Sequence, residues 1–478
     1  MKTHHRLSRR AFLGSAATTV AVASGISSQA RAAAGQSPSS LPAAPAERHP
    51  RAKILTLYLA KPIPTWPRPD FNPQDDIRRI RAVLARYEAR PEPAVQFFGH
   101  ELLRVPDDLS RLQASLGQAD GLLVFNLTST VMNLIEPLSA AGLPLVLFSQ
   151  PYSGHDWAEW SALRARGRLI EVVASSDFAD LETPLRVMAA RQQMRQSRVL
   201  CVSPQTEHSE SSRALEEKFR TPIRFLDYSR LQNLYRAADQ EAARRDAAKF
   251  TAAALKVVEP KPAEVADSFR LYQAVEKLMA EEQANAITID CLGGFRRGEL
   301  PAYPCVAWSE LNDRGLHGVC EGDLETTFTQ MLFAYYSGKP GFVSDPVFDT
   351  KTNTVIHAHC VAATRMDGPR GPAAPYIVRS HMEDNKGVSM QVNMRIGQTI
   401  TLVKLANANT LLVSAGRIIA TPDLPRGCRT KVATKVKNAA RMLENYGGGL
   451  HRVLFYGNYL RAAHQMGRLL GLKVVEET

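Results

Sequence analysis

Three widely separated residues, Glu321, Asp345 and His451, have the side chains of a metal site. Glu321 lies in the run CEGDLETTF, Asp345 in FVSDPVFD and His451 in GGGLHRVLFYGNY. Two carboxylates and an imidazole suit a hard or borderline divalent ion, such as Mn²⁺ or Mg²⁺, better than a thiolate-binding ion. Each segment has the residues of a tight turn or strand end, which can aim a side chain into a cleft. We therefore predict that the three converge in a metal-dependent enzyme acting on a small polyol or sugar.

Each of these residues also has a purely structural interpretation. Glu321 can be one of several acids at a helix N-terminus, where the helix dipole favours negative charge. Asp345, which precedes a proline, and His451, which follows three glycines and a leucine, can be turn residues. The sequence alone leaves these alternatives open.

The elements that must position these residues begin at residue 53, where strands and helices start to alternate. Short, continuously apolar strands separated by helices predict a parallel sheet covered on both faces. Residues 51–172 are predicted to form a first α/β domain, Rossmann-like in layout, with strands at Lys53–Leu59, Ala94–Phe98, Gly121–Asn126 and Leu143–Ser149. No GxGxxG motif follows its first strand, so dinucleotide binding is not predicted.

A second α/β domain is predicted over residues 173–340, with a long helix at about 229–255. Its strand Ala286–Cys291 carries Asp290 near the carboxyl end, where α/β sheets place functional groups. After residue 340, strands separated by Gly, Asn and Pro predict a β-rich domain over 341–478. The predicted fold class is α/β: two Rossmann-like α/β domains followed by a β-rich, barrel-like C-terminal domain.

Composition excludes some functions. Residues 1–34 contain five Lys or Arg residues and no acid, and removing them from the formal net charge of +12 leaves +7, spread along the chain. No long basic block occurs, so nucleic-acid binding is not predicted. The six cysteines are widely spaced without a CxxC pair, which predicts buried thiols rather than a zinc site or a disulfide framework.

The N-terminus has the features of an export signal. Ser-Arg-Arg-Ala-Phe-Leu-Gly at 8–14 precedes a short, weakly apolar stretch and small-residue cleavage sites near Ala34, as in a bacterial twin-arginine signal. The alternative is a basic tail. We predict a signal peptide over 1–34, a linker over 35–50, and a periplasmic or extracellular protein that does not span the membrane. Export in the folded state would allow metal loading in the cytoplasm.

The run Ala302–Arg365 resembles the L-fucose isomerase family and its L-arabinose isomerase relatives. The shared features are Pro-Cys before a Ser/Asn loop, Cys-Glu-x-Asp opening a helix, an Asp after Gly-Lys-Pro, and a His-Cys strand end. Gly-Gly-x-His at 448–451, followed by Tyr-Gly-Asn-Tyr, looks like the end of the same family. The resemblance covers residues 285–478, and 51–284 only by layout.

The resemblance implies a divalent metal, usually manganese, held by Glu321, Asp345 and His451, with His359 as a further ligand or lining residue. His359 shares a strand face with His357, and one of the two is expected to be structural. It also implies a homo-oligomer, a trimer or hexamer, with the cleft shared between subunits. The chain departs from the arabinose enzymes at Arg452, where they tend to carry a second His, and in its compact C-terminal domain and export signal.

The predicted function is a metal-dependent aldose–ketose isomerase-like enzyme, an intramolecular oxidoreductase that acts on a sugar through an enediol. Glu321 and Asp345 would share the acid and base roles, because the metal and their mutual repulsion push their pKa values apart. Asp290, Asn312 and His155 are predicted to contact the sugar. The alternatives are an exported carbohydrate-binding protein on the same fold without turnover, and an oxidoreductase or hydrolase.

Overall fold

The computed structural model describes residues 51–478. The predicted signal peptide, 1–34, and linker, 35–50, lie outside the described residues. Among the helices of the described part, none is both long and apolar enough to cross a membrane.

The first sheet is parallel and has the strand order β2-β1-β3-β4-β5. Its strands are β1 (Ala52–Leu59), β2 (Val95–Leu103), β3 (Gly121–Asn126), β4 (Leu145–Ser149) and β5 (Ile170–Ala174). The accompanying helices are α1 (Pro73–Glu88), α2 (Gln113–Gln118), α3 (Met132–Ser139) and α4 (Trp160–Ala165). Every residue of β3 and β4 is buried, as expected for strands covered on both faces. Strand β5 includes residue 173, the predicted start of the second domain.

The second sheet is also parallel, with the order β7-β6-β8-β9. Its strands are β6 (Val199–Val202), β7 (Ile223–Leu226), β8 (Ala286–Ile289) and β9 (His317–Cys320). The helices of this region are α5 (Glu182–Gln196), α6 (Glu210–Phe219), α7 (Tyr228–Arg236), α8 (Gln240–Ala253), α9 (Pro262–Glu281), α10 (Cys291–Arg296), α11 (Cys305–Asp313) and α12 (Leu324–Ser337). Asp290 and Glu321 directly follow the neighbouring strands β8 and β9.

One expected helix is divided in two. The sequence predicts a single helix over about 229–255, but α7 ends at Arg236 and α8 begins at Gln240. Asp239 explains the break, because its carboxylate accepts a hydrogen bond from the N–H of Ala242 and so caps α8.

The C-terminal region is a closed β-barrel, as the turn-rich texture of the sequence indicates. Its antiparallel order is β14-β17-β10-β11-β16-β15, and β15 pairs back to β14. The barrel strands are β10 (Phe342–Asp349), β11 (Thr354–His359), β14 (Thr399–Ala406), β15 (Thr410–Ala420), β16 (Thr430–Val436) and β17 (Arg452–Tyr456). The other elements are a hairpin of β12 (Tyr376–Arg379) and β13 (Ser389–Val392), α13 (Ala439–Glu444), α14 (Leu460–Leu470) and β18 (Lys473–Glu476), which is parallel to β15.

Strand β17 joins the barrel to the rest of the molecule. All five of its residues are buried, and successive side chains belong to different apolar clusters. Leu454 and Tyr456 pack with one cluster, whereas Val453 and Phe455 pack with a second that includes Phe328 of α12 and Met466 of α14. Because both faces of the strand are covered, its position is fixed, and so is the residue that precedes it, His451.

The parallel sheets and the barrel confirm the mixed α/β class. The division of residues 51–340 into two Rossmann-like domains stays a prediction.

Candidate metal centre

Glu321, His359 and His451 form a compact group whose ligand atoms all lie within 4.8 Å of one another. The Nε2 atom of His359 lies 3.6 Å from Oε1 of Glu321, and Nε2 of His451 lies 3.6 Å from Oε2 of the same carboxylate. Glu321 follows β9, His359 ends β11, and His451 precedes β17. Two carboxylate oxygens and two imidazole nitrogens therefore converge from three distant parts of the chain.

Asp345 lies beside this group rather than within it. Its Oδ1 atom is 3.5 Å from Nε2 of His451. Strand order explains the position: β10 lies between β17 and β11, and pairs Asp345 with Ala358 and Ser344 with Arg452. The compact group therefore includes His359, whereas the sequence favoured Asp345 as the third primary ligand.

The residues fit a divalent ion. Within residues 51–478, Oδ1 of Asp345, Nε2 of His359 and Nε2 of His451 are buried and make no hydrogen bond. The side chains of both histidines are only 5% exposed. Buried polar atoms are normally hydrogen-bonded, and leaving them without partners is costly. An ion held by imidazole and carboxylate would satisfy all three atoms, and the oxygen-rich donor set suits Mn²⁺ or a similar ion.

The surroundings of the group favour the charged forms of His359 and Glu321, but the neutral form of Asp345. Burial lowers the pKa of His359, but the Glu321 carboxylate, 3.6 Å from its Nε2 atom, and the charge of Asp345 outweigh that effect and raise the pKa to about 9. The His359 imidazole beside it in turn lowers the pKa of Glu321. Burial raises the pKa of Asp345, although both histidines oppose this. The two carboxyl groups therefore differ in acidity, as a divided acid and base role requires.

Asp323 bonds to the ring nitrogen of His451 that faces away from the candidate metal site. Its Oδ2 atom accepts a hydrogen bond from Nδ1 of His451 at 2.9 Å. Lys404, whose side chain is 1% exposed, lies 3.2 Å from the same oxygen and donates to Oγ1 of Thr326 at 2.7 Å. Burial raises the pKa of Asp323, but the bond to His451 and the charge of Lys404 more than reverse this and hold the pKa well below its usual range.

This arrangement was not predicted from the sequence. Asp323 is one of several acids near the start of α12, and it also caps this helix by accepting from the N–H of Thr326 at 2.8 Å. A signal was nevertheless present. Lys404 is a single charge inside the apolar run TITLVKLA of β14, and a lysine in a buried strand requires an anionic partner.

Backbone conformation at Glu321 is unusual. Its φ angle is +67°, in the left-handed region that non-glycine residues rarely adopt, and Gly322 follows with φ +67°. The turn brings the Glu321 carboxylate back towards the barrel, while Asp323 starts the helix. Strained backbone of this kind is concentrated at functional sites.

Arg452 organises the loop that carries His451. Its guanidinium is fully buried, donates to the carbonyl oxygens of Gly447 at 2.9 Å and His451 at 3.1 Å, and pairs with Glu477 at 2.7 Å. Arg452 therefore occupies the position after the histidine as a structural residue of the loop.

A cavity of about 530 Å³ opens beside Glu321. Asp290 lines it, and accepts hydrogen bonds from the N–H of Gly293 and from Arg297, both at 3.1 Å. Hydroxyl groups form much of the remaining lining, contributed by Ser203, Ser209, Ser211 and Ser212. The cavity is thus lined by carboxylates and hydroxyls next to the candidate metal centre.

The other predicted site residues lie elsewhere. The Asn312 amide is buried, bonds to the backbone of Gly318 and accepts from Gln330, and so it cannot contact a ligand in the cavity. His155 lines a separate cavity of about 450 Å³ at the ends of β4 and β5.

His357 is structural, as expected for one of the two histidines on β11. Its ring bonds to the hydroxyls of Ser344 at 3.2 Å and Thr434 at 3.0 Å, and burial lowers its pKa to about 3.

No protein-family model matches the chain. Among curated proteins, it is similar to the sulfoquinovose isomerases of Priestia aryabhattai and Priestia megaterium. The chain is 23% identical to each over 207 residues, which cover 42% of this chain and 45% of each relative. The chain thus spans less than half the length of the curated relatives it matches. This distant homology to an isomerase agrees with the enzyme class that the motifs around Glu321 and His451 indicate.

Proposed function

We propose that the protein is a metal-dependent aldose–ketose isomerase-like enzyme that acts on a sugar through an enediol. The observation that carries the proposal is the convergence of Glu321, His359 and His451, with Asp345 beside them, at the edge of a hydroxyl-lined cavity. The homology to sulfoquinovose isomerases supports the same class of reaction.

Glu321, Asp345, His359 and His451 would hold the ion. When bound, a divalent ion would polarise the substrate carbonyl and stabilise the oxyanion of an enediol. Isomerisation moves one proton from C2 to C1 of the aldose and another from the C2 hydroxyl to the carbonyl oxygen, so no external oxidant or reductant is needed. Glu321 lines the cavity and can take the C2 proton there. Asp345 is the second carboxyl group, and it can carry the proton from the C2 hydroxyl to the carbonyl oxygen.

The charges of the cavity lining favour a sugar without a charged substituent. Its lining has one cation, Lys404, whose ammonium is already paired with Asp323, and the lining residue Asp290 is paired with Arg297. Carboxylates outnumber cations in this lining. The relatives are named for sulfoquinovose, a sulfonated sugar, but a neutral polyol matches the serines and carboxylates of this cavity better.

The test combines metal analysis with a screen for turnover. Purified protein should contain a divalent ion, and dialysis against a chelator should remove both the ion and the conversion of aldoses to ketoses, with Mn²⁺ restoring the activity. Binding sugars without forming ketose would instead identify a carbohydrate-binding protein. Activity that persists in chelated, metal-free protein would refute the proposal.

A further inference from the structure

Four cysteines, three of them buried, flank the candidate metal centre. Cys320 directly precedes Glu321, and Cys360 directly follows His359. Each has a second thiol as its neighbour: Cys291 lies next to Cys320, and Cys428 lies next to Cys360. One cysteine of each pair is therefore the sequence neighbour of a candidate metal ligand.

Strand pairing explains why each pair forms. Strands β8 and β9 are neighbours, with Ile289 opposite Cys320, so Cys291 lies just beyond the same sheet edge. Strands β11 and β16 are antiparallel with His359 opposite Thr430, so Cys360 leaves the barrel where Cys428 enters it. In both pairs, the pairing of neighbouring strands brings the two cysteines close together.

The two pairs differ in access. Cys291 and Cys320 are both buried, with 5% and 3% exposure. Cys360 is 2% exposed, but Cys428 is partly exposed, in the loop before β16. A reagent in solution can reach the pair at Cys428 and not the pair at Cys320. Reactivity of a thiol depends on such access.

We propose that Cys360 and Cys428 are a redox-responsive thiol pair that closes to a disulfide and weakens the metal centre through His359. Cys428, the accessible thiol, loses its proton to solvent as its sulfur attacks a small external disulfide, RSSR, and the displaced RS⁻ takes up a proton to leave as RSH. The Cys360 sulfur then attacks the Cys428 sulfur of the mixed disulfide and releases the second RSH. In sum, two protein thiols and RSSR give one protein disulfide and two RSH.

Disulfide formation requires a specific approach of the two Cβ atoms. Because Cys360 is bonded to His359, that approach would shift the imidazole relative to Glu321. This second part of the inference rests on the proposed metal site.

The experiment treats reduced protein with oxidised glutathione, counts free thiols, maps the disulfide by mass spectrometry and titrates Mn²⁺. We expect loss of two of the six thiols, a Cys360–Cys428 peptide, and at least a tenfold weaker Mn²⁺ affinity that dithiothreitol restores. Cys428→Ser should keep its five thiols and its Mn²⁺ affinity. Cys201→Ser, which removes a buried thiol on β6, should respond like the wild type.

Failure of either part is visible separately. No disulfide, or one at another pair, overturns the thiol pair whatever the metal does. A Cys360–Cys428 disulfide with unchanged Mn²⁺ affinity overturns the link to His359. Reduced protein that binds no Mn²⁺ refutes the metal site itself. In that case NMR of the histidine side chains tests whether disulfide formation moves His359. The His359 resonance is assigned as the one that is missing from the spectrum of His359→Gln, and it must shift when the wild-type protein is oxidised.

Discussion

The Nδ1 atom of His451 donates a hydrogen bond to the Asp323 carboxylate, which Lys404 keeps ionised. A histidine that donates from Nδ1 in its neutral form presents the lone pair of Nε2. That atom lies towards Glu321 and Asp345, at 3.6 and 3.5 Å. The Asp323–His451 pair therefore prepares the imidazole for an ion, in the way that carboxylates behind metal-binding histidines usually do.

Asp323→Asn should weaken Mn²⁺ affinity by about 10- to 100-fold. Asn is nearly as good a helix cap as Asp, so α12 should persist, whereas the charge that orients His451 is lost. Asp239→Asn, which changes the cap of α8, is the matched control. Calorimetric titration of both variants is the measurement, and an equal effect in the two would contradict the role of Asp323.

Glu321→Gln should lower kcat by at least about 100-fold while the fold stays intact. The amide keeps the size of the side chain but cannot accept the C2 proton. Glu241→Gln, at an exposed position in the first turn of α8, should keep the activity. Turnover and thermal unfolding are measured together, and unchanged turnover would remove Glu321 from the mechanism.

Arg452→Met should lower the free energy of unfolding by about 3–5 kcal/mol, because it leaves Glu477 buried without its cation. Arg452→Met combined with Glu477→Gln should recover much of that loss. Urea unfolding of the three proteins measures this. If the single variant were as stable as the wild type, the pair would not hold the loop before β17.

Stability should fall as the pH rises from about 4.5 to 7, through Glu310. Burial and the neighbouring Asp313 raise the pKa of Glu310 from 4.5 to about 7. The folded state therefore keeps a proton that the unfolded state has lost, and the stabilisation present below pH 4.5 disappears by about pH 7.

Glu310→Gln should accordingly stabilise the protein at pH 8, by about 1–2 kcal/mol, and change little at pH 4.5. Glu217→Gln, an exposed position on α6, is the control. Thermal melts at the two pH values are the measurement. Equal effects of Glu310→Gln at both would show that Glu310 does not keep its proton.

A neutral aldose should be preferred over the same sugar carrying a terminal sulfonate, by at least about tenfold in kcat/KM. Carboxylates outnumber the single cation of the cavity lining, so an added anion is repelled. The preference should shrink at high salt. Faster turnover of the sulfonated sugar would show that the cavity charge does not select the substrate.

The sequence predicted much of the fold, and some of it to the residue. Strand Gly121–Asn126 has the predicted bounds, because it is an apolar run ended by clear turn signals. Strand β5 was missed since its run is short and begins in a loop. Strand β9 was missed because His317-Gly-Val-Cys has no strand-like alternation, although all four residues are buried.

The candidate site was predicted less evenly. Short turn-flanked segments indicated Glu321, Asp345 and His451, and the family resemblance added His359. Asn312 was misjudged because composition does not show that Gly318 and Gln330 occupy its amide. The role of Lys404 depends on a contact with Asp323 across 81 residues, which periodicity within a single strand cannot reveal.

The left-handed backbone at Glu321 has a consequence for engineering. Glycine tolerates that conformation better than any other residue, so selection for heat resistance alone would favour replacing Glu321 with glycine. A thermostability screen run without an activity assay should therefore enrich proteins that melt at higher temperature and no longer bind the ion. Thermostable variants would keep glutamate at position 321 only if the screen also selected for activity.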